Sequence, residues 1–359
     1  MPTSRGRKPK KAASRPRRHG DPRLAALGEL AAARYESAKT LLANMLAGAV
    51  PGESLVPMML MTLWVLRAAE SGIPPNVCVD ACQTLRYAFA QFGIDAQLVA
   101  VDLVVDDPAR GTTVHGTPEP SWEGTVLDGH CILWLPRWRR FLDPTVTQYA
   151  DAARLGVGPV MGRMDAVSGS QDEVKAIAEG EALPAGAHFA VPRGAGMLLY
   201  TVASQEATRI ITDSPWMVQT AGEHRRAGIN LASYALDALR RPSVISIARA
   251  APFPRVTGLL DVIGDAPSET DAAGNWYFTL PDPVGGQHRL RIDEISLPGE
   301  PPHLPLAGGA RARPGPAGPS GGWLAGSETG GGIPRAAALR LGPGVAHDQD
   351  FFPASNEFV

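Results

Sequence analysis

The chain has few cysteines, few lysines and no long apolar run. Its three cysteines are too few for a disulfide framework, which favours a reducing compartment and cysteines that remain thiols. The longest nearly apolar run, Leu55–Leu66, contains a proline and is too short to span a bilayer. The first residues contain no apolar core of the signal-peptide kind. We therefore expect a cytoplasmic protein with no membrane span.

The basic residues are unevenly distributed. Residues 1–23 contain nine of the 34 lysines and arginines but only one of the 36 acidic residues. The rest of the chain has 25 basic and 35 acidic residues, which gives it a net charge of −10. Residues 1–23 lack apolar periodicity and are predicted to form a disordered arm. Such an arm either binds nucleic acid or another polyanion non-specifically or only keeps the protein soluble. The preference for Arg, Ala, Gly and Pro over Lys suggests a GC-rich bacterial genome.

The first part of the chain is predicted to be helical. Apolar residues recur at helical spacing over Leu24–Leu46. A buried helix is expected over Pro57–Glu70, since proline is tolerated at the first helical position. Asn76 is a favourable N-cap for a third helix, which is expected to run to about Phe92 and to end at Gly93.

The apolar pattern then changes to the period of strands. A strand is predicted over 97–105, followed by a loop over 106–121 that proline and glycine interrupt. His130–Leu135 and Arg140–Asp143 are predicted to form an antiparallel hairpin, because only a short turn joins them. Further elements are expected as strands at Ala187–Val191, Met197–Ala203, Val256–Ile263 and Trp276–Leu280 and as a helix at Ala221–Leu239.

Composition divides the chain into four segments. Residues 298–344 hold 13 Gly and 9 Pro, from which no core can form, so residues 298–359 are expected to be a disordered tail. We assign residues 1–23 to the basic arm, 24–245 to the main domain and 246–297 to a short β extension. The order of helices and antiparallel strands predicts an α+β fold.

Cys78, His130 and Asp143 are the residues most suited to chemistry. A cysteine at a helix N-terminus lies among unpaired backbone N–H groups, which lower its thiol pKa and can stabilise an oxyanion. A histidine at the start of a strand can polarise the thiol, and an aspartate at the end of the paired strand can orient the histidine. The three residues therefore have the types and the order of a thiol triad.

Each of these residues also has an ordinary structural interpretation. Cys78 could be a small buried hydrophobic residue, and Asp143 could only cap the turn before Pro144. Cys82 lies one helical turn after Cys78, in the core or in a wall of the site. His115 is a rival base, in a loop rich in proline and glycine with no Asp at comparable spacing.

No metal or cofactor is expected. His130 and Cys131 are adjacent in a strand and face opposite sides of it, so they cannot easily converge on one metal with the other two cysteines. A disulfide between Cys78 and Cys82, within one helix, is disfavoured by geometry.

Three segments resemble the transglutaminase-like superfamily. Asn76-Val77-Cys78-Val79-Asp80-Ala81, with Gly93-Ile94-Asp95-Ala96 beginning fifteen residues after the cysteine, is similar to its cysteine helix. Gly129-His130-Cys131-Ile132-Leu133-Trp134 is similar to its histidine strand, and Phe141-Leu142-Asp143-Pro144-Thr145 to its Asp-Pro-Thr segment. The likeness covers residues 55–150. Asn76, Asp95 and Ile132 depart from the family, which usually has glycine, proline and an aromatic residue there.

The resemblance implies a papain-like core, in which the helix bearing the nucleophilic cysteine packs on an antiparallel sheet. It also implies Cys78 as nucleophile, His130 as base and Asp143 as the residue that orients the base. The family has a second oxyanion donor that is usually a side chain before the cysteine, and Trp64 and Asn76 are the candidates for it in this chain.

The implied function of the domain over 24–245 is that of a cysteine-dependent hydrolase, such as a protease or amidohydrolase, or of an acyltransferase. Its substrate would be an amide of a protein or peptide, and water or an amine would resolve the thioester. Two alternatives remain open at this point. The domain could be a non-catalytic scaffold or binding protein, or the arm over 1–23 could be the functional element through a polyanion.

Overall fold

The computed structural model describes residues 22–71, 77–163, 183–282 and 285–298. Its helices are α1 (Pro22–Leu46), α2 (Gly52–Glu70), α3 (Cys78–Gln91), α4 (Ala150–Leu155), α5 (Gln205–Thr212), α6 (Pro215–Leu239), α7 (Ile245–Ala250) and α8 (Pro254–Ile263). Its strands are β1 (Gln97–Asp107), β2 (Gly111–His115), β3 (Ser121–Glu123), β4 (Val126–Asp128), β5 (His130–Leu135), β6 (Arg140–Asp143), β7 (Val160–Arg163), β8 (His188–Arg193), β9 (Gly196–Val202), β10 (Ser268–Thr270), β11 (Trp276–Pro281) and β12 (Gln287–Leu290).

Seven of these strands form one antiparallel sheet, in the order β7-β6-β5-β1-β9-β8 with β2 also paired to β1. The first half of β1 pairs with β5, where Val101 lies opposite His130, and its second half pairs with β2, where Leu103 lies opposite His115. The end of β2 and the start of β5 therefore meet along β1. This pairing brings His115 and His130 close together.

The two faces of the sheet pack against different hydrophobic clusters, because successive residues of a strand point to opposite sides. Cys131, Leu133 and Leu135 belong to a cluster that includes α2, α3 and α6, whereas Ile132 and Trp134 belong to a second cluster. Helix α3 packs against β5 on one side and α6 on the other. The mixed α and β fold with an antiparallel sheet is as predicted.

Helix α3 occupies the predicted position. Its buried face carries Cys82, Leu85 and Phe89, which recur at helical spacing and lie fully in the core. Gly93 follows the helix with a φ of 68°, a conformation that glycine adopts without steric cost. Asn76, the expected N-cap, lies outside the described residues.

Two helices begin earlier than predicted. Helix α2 begins at Gly52, so Pro57 lies inside it. A proline near a helix N-terminus removes one hydrogen bond, and the burial of residues such as Leu55 outweighs that loss. Helix α6 begins at Pro215, where Ser214 is the N-cap and accepts a backbone N–H. Proline therefore occupies the first helical position in α6, whereas in α2 it lies five residues after the helix start.

Two segments differ in type from the prediction. The strand expected over 256–263 is wrong, because these residues form α8 after Pro254. The residues Val256, Leu259, Leu260 and Ile263 are buried at helical spacing, which outweighs the strand preference of the β-branched residues. The loop expected over 106–121 is partly wrong, because β1 extends to Asp107 and β2 pairs back onto it.

Residues 246–297 contain α7, α8 and a second sheet in the order β10-β11-β12. Phe278 from this sheet belongs to the same hydrophobic cluster as Cys78. The arm expected over 1–23 and the tail expected over 298–359 lie almost wholly outside the described residues. In the described part of the chain, no helix is long and apolar enough to cross a membrane.

Candidate active site

Cys78 is the first residue of α3, and its side chain is buried with 5% exposure. The first N–H groups of a helix have no partner within the helix. The N-cap residue is Val77, and among the described residues no side chain caps these N–H groups. The sulfur therefore lies beside backbone donors, as the sequence predicted. These N–H groups are the candidate oxyanion donors.

His130 and Asp143 are hydrogen bonded to each other in the interior. The Nε2 atom of His130 lies 2.8 Å from Oδ2 of Asp143, and neither side chain is exposed. The same Oδ2 accepts the hydroxyl of Tyr200 at 3.0 Å, while Oδ1 accepts the backbone N–H of Thr145 at 2.9 Å. Asp143 thus closes the turn after β6 and holds the imidazole at the same time.

The thiol of Cys78 lies close enough to the imidazole of His130 for each group to shift the pKa of the other. Because Nε2 is held by Asp143, Nδ1 is the ring nitrogen left for the sulfur. The Nε2 atom of Gln148 also lies 3.2 Å from Nδ1. The structure therefore brings the three predicted residues together, in the order sulfur, imidazole, carboxylate.

The charges of this group are strongly coupled. Burial lowers the pKa of the His130 imidazole, but the charge and hydrogen bond of Asp143, with a smaller effect of Cys78, raise it to about 10. Burial raises the pKa of the Asp143 carboxyl, but His130 and the other hydrogen bonds bring it below its ordinary value. His130 and Asp143 therefore form an ion pair near neutral pH.

The pKa of the Cys78 thiol is raised well above its ordinary value. The largest cause is its hydrogen bond to Cys131, burial comes next, and His130 acts in the opposite direction. These effects outweigh the helix N-terminus, from which we expected a lowered pKa. At neutral pH a thiol therefore lies beside an imidazolium and a carboxylate, and the reactive thiolate forms when Cys78 loses its proton to solvent.

The other two cysteines lie behind Cys78 in the core. Cys82 is fully buried, and its Sγ donates to the carbonyl oxygen of Cys131 at 3.6 Å. The Cys131 thiol interacts with the thiols of both Cys78 and Cys82. All three cysteines are free thiols. Cys82 is therefore a core residue that forms the inner wall of the site.

His115 has an acidic partner, Asp151, although the two residues are 36 positions apart, compared with 13 for His130 and Asp143. Its Nε2 lies 2.7 Å from Oδ2 of Asp151, which also accepts the hydroxyl of Thr113. Its ring stacks on Tyr149 at 4.0 Å between centroids, and Tyr149 meets the ring of His130 edge-on at 5.4 Å. A second, more exposed His–Asp pair thus borders the first through Tyr149.

Gly116 allows the end of β2 to lie against His130. It has a φ of 84°, and a Cβ at this position would lie 2.9 Å from the carbonyl oxygen of Val101 and 3.1 Å from Cβ of His130. Any larger residue would push β2 away from the start of β5. The glycine therefore fixes the distance between the two histidines.

Of the candidates for the second oxyanion donor, Trp64 lies on α2, half-buried against the cluster that contains Cys78. Asn76 lies outside the described residues. Within the described ranges, no group of three or more His, Cys, Asp or Glu side chains could hold a metal ion. The role of Trp64 as an oxyanion donor stays a prediction.

No family model, curated protein or solved structure matches the chain. Sequence reasoning missed Gln148, Tyr149, Asp151 and Tyr200 as neighbours of the triad. Gln148 and Tyr149 closely follow the Asp-Pro-Thr segment and could have been suspected from that position, whereas Tyr200 comes from β9 and has no local signal.

Proposed function

We propose that this protein is a cysteine-dependent hydrolase or acyltransferase of the transglutaminase-like, papain-like kind, acting on an amide of a protein or peptide. The observation that carries the proposal is the buried chain of interactions from Asp143 through His130 to the thiol of Cys78, in which Asp143 is hydrogen bonded to His130 and His130 and Cys78 shift each other's pKa. Such a chain supplies a nucleophile, a base and a group that orients the base.

The reaction begins when the thiolate of Cys78 attacks the carbonyl carbon of the amide. The negative charge that develops on the oxygen is stabilised by the first N–H groups of α3. His130 then gives its proton to the leaving amine as the C–N bond breaks, and a thioester remains on Cys78. Water or an amine then adds to the thioester and gives its proton to His130, and the C–S bond breaks, which restores the Cys78 thiolate beside the His130 imidazolium. Asp143 holds Nε2 throughout.

The second candidate is a non-catalytic binding protein of the same fold. The observation that favours it is the state of Cys78, since a buried thiol with a raised pKa is typical of structural cysteines. The two candidates differ in what His130 does to the thiol. In an enzyme His130 promotes the thiolate, whereas in a structural site its removal leaves the thiol reactivity unchanged.

Alkylation of the full chain with iodoacetamide across pH, read at Cys78 by mass spectrometry, distinguishes the candidates. We expect His130→Ala to move the alkylation profile of Cys78 to higher pH, because His130 lowers the pKa of this thiol. His115→Ala is the matched control, since His115 belongs to the neighbouring pair, and it should leave the profile in place.

Cys78→Ala identifies the modified residue in this experiment. Circular dichroism of each variant shows whether the fold is intact. If Cys78 reacts with an ordinary thiol pKa and His130→Ala does not move the profile, the enzyme proposal is wrong and the binding protein is favoured. A shift caused by His115→Ala alone would transfer the role of base to His115.

A further inference from the structure

A cleft of about 570 Å³ lies between the β3–β4 hairpin and the junction of α5 and α6. Trp122 of the hairpin and Trp216 of α6 line it, together with Ile210 of α5. The Nε1 atom of Trp122 donates to the carbonyl oxygen of Ile210 at 3.0 Å, which joins the hairpin to α5. The volume is within the range of roughly 300–1,000 Å³ that is usual for ligand sites. We refer to this site as the tryptophan cleft.

The elements that line the tryptophan cleft are connected to those that carry the candidate active site. A single residue, Gly129, separates the end of β4 from the start of β5 at His130, so the hairpin leads directly to the first residue of β5. Helix α5 is held at the same end of the sheet by Thr208, whose Oγ1 accepts the N–H of Ala100 at 3.1 Å, and Ala100 lies opposite Cys131. Helix α6 packs along α3, which begins at Cys78.

The tryptophan cleft is lined by three large apolar side chains. Trp122 and Trp216 are half-buried, and Ile210 is 39% exposed. Grouped exposed apolar side chains mark interaction sites, because a partner that covers them releases the water around them. The walls are therefore suited to an apolar or aromatic side chain.

The lining of the cleft carries one more negative charge than positive charge. Its two carboxylates, Glu206 and Asp213, are on exposed residues. Arg209, the cationic residue of the lining, lies 3.7 Å from Glu206, so its charge is balanced within the cleft. An occupant with a positive charge is favoured by this arrangement.

We propose that the tryptophan cleft binds the peptide substrate, with an apolar or aromatic side chain beside Trp122 and Trp216 and a neighbouring Lys or Arg close to Glu206 and Asp213. This inference rests on the proposed function, since it names the substrate class of the same site: a basic peptide with an apolar anchor. The chain's own arm over 1–23 is basic but has no aromatic residue, so it meets only the charge requirement.

The test measures binding without catalysis, on the full chain carrying Cys78→Ala. The probes are three fluorescein-labelled Gly/Ser peptides, with a central Phe-Arg-Arg, Ala-Arg-Arg or Phe-Glu-Glu, and the readout is fluorescence anisotropy. We expect Phe-Arg-Arg to bind about tenfold more tightly than either of the others, equivalent to about 1.4 kcal/mol. Trp216→Ala and Ile210→Ser should each remove this preference.

Val262→Ser is the matched control for Ile210→Ser. Val262 lies on α8 away from the lining and is 40% exposed, compared with 39% for Ile210. It should leave peptide binding unchanged. Ile210 is a surface residue, so its substitution tests the cleft even if Trp216→Ala fails to fold. Equal binding of the three peptides, or an equal loss in Val262→Ser, overturns the inference.

The alkylation experiment keeps this inference separate from the proposed function. If the peptides are discriminated but Cys78 has ordinary reactivity, the cleft is a binding site and the enzyme proposal fails. If His130 activates Cys78 but the peptides bind equally, the enzyme proposal stands and the cleft does not select the substrate.

Discussion

At the scale of single residues, the thiol of Cys78 has two neighbours with opposite effects on its proton. The hydrogen bond to Cys131 favours the thiol, whereas His130 favours the thiolate. Both neighbours lie on β5, at adjacent positions that lie on opposite faces of the strand. The sulfur therefore interacts with both of the first two residues of β5. This location makes the reactivity of Cys78 depend on the thiol behind it.

Substitution of Cys131 tests this balance. We expect Cys131→Ala to lower the pKa of the Cys78 thiol, because the largest cause of its raised value is removed. The iodoacetamide profile of Cys78 should then move to lower pH, opposite to the shift expected for His130→Ala.

Cys82→Ala removes a sulfur of the same size from the same core and is the matched control. It should move the Cys78 profile less, since Cys82 is hydrogen bonded to the carbonyl of Cys131 instead of acting mainly on Cys78. Equal shifts in the two variants would show that packing, and not the Cys131 hydrogen bond, sets the pKa.

The geometry of the triad was largely predictable from sequence, whereas its surroundings were not. Cys78, His130 and Asp143 could be identified because each lies at the end of an element with a clear local signal. Tyr200 could not, since it reaches Asp143 only through the pairing of β9 with β1. The partner of His115 was missed for the same reason, because Asp151 lies 36 positions away on a different element.

At the scale of elements, the agreement between sequence and structure depends on how local the determining interaction is. Gly93 ends α3 by its own conformation, so the end of that helix was predicted. Pro57 gave a false helix start, because burial of α2 outweighs one missing hydrogen bond. Four of the ten residues of α8 are β-branched, which favours a strand, and the helical spacing of its buried residues is the feature that indicates a helix.

The packing of α3 on α6 depends on a glycine. A Cβ at Gly228 would lie 2.5 Å from the carbonyl oxygen of Thr84 and 2.6 Å from Cβ of Tyr87. We expect Gly228→Ala to lower the free energy of unfolding by about 1–3 kcal/mol, because the helices must separate. The separation would also move α3, so the alkylation of Cys78 should change.

Gly222→Ala is the matched control in the same helix. Nothing lies within 4 Å of a Cβ at Gly222, so this substitution should raise the free energy of unfolding by about 0.5–1 kcal/mol through helix propensity. Urea denaturation followed by circular dichroism measures both variants. If Gly228→Ala is as stable as Gly222→Ala, the close packing of α3 on α6 is wrong.

At the scale of the whole molecule, three buried or half-buried His–Asp pairs connect different elements. His130–Asp143 joins β5 to β6, and His115–Asp151 joins β2 to α4. His224 of α6 lies 2.7 Å from Asp80 of α3 and forms the third pair. The elements around Cys78 are thus held by charged or polar pairs as well as by the core. The stability of the fold should therefore depend on pH.

The carboxyl groups of Asp143 and Asp151 determine how the stability of the fold changes at acidic pH. Burial raises the pKa of the Asp151 carboxyl, but hydrogen bonds from Thr113 and His115 bring it below the ordinary value, and the pKa of Asp143 is also lowered. Their contributions are present above the unfolded pKa of about 3.9 and are lost as the pH falls through the folded values. We expect the urea midpoint to fall below about pH 4.

His130 accounts for the neutral and alkaline side, with the opposite sign. Its folded pKa is raised to about 10, so its contribution is complete below the unfolded pKa of about 6.5 and is lost as the pH rises toward 10. The urea midpoint should therefore decline from about pH 6.5 to about 8.5, before unfolded thiols ionise. Asp143→Asn should abolish this decline, whereas Asp151→Asn should retain it and weaken only the acid limb. A decline that persists in Asp143→Asn would mean that the buried His130–Asp143 pair does not govern stability in this range.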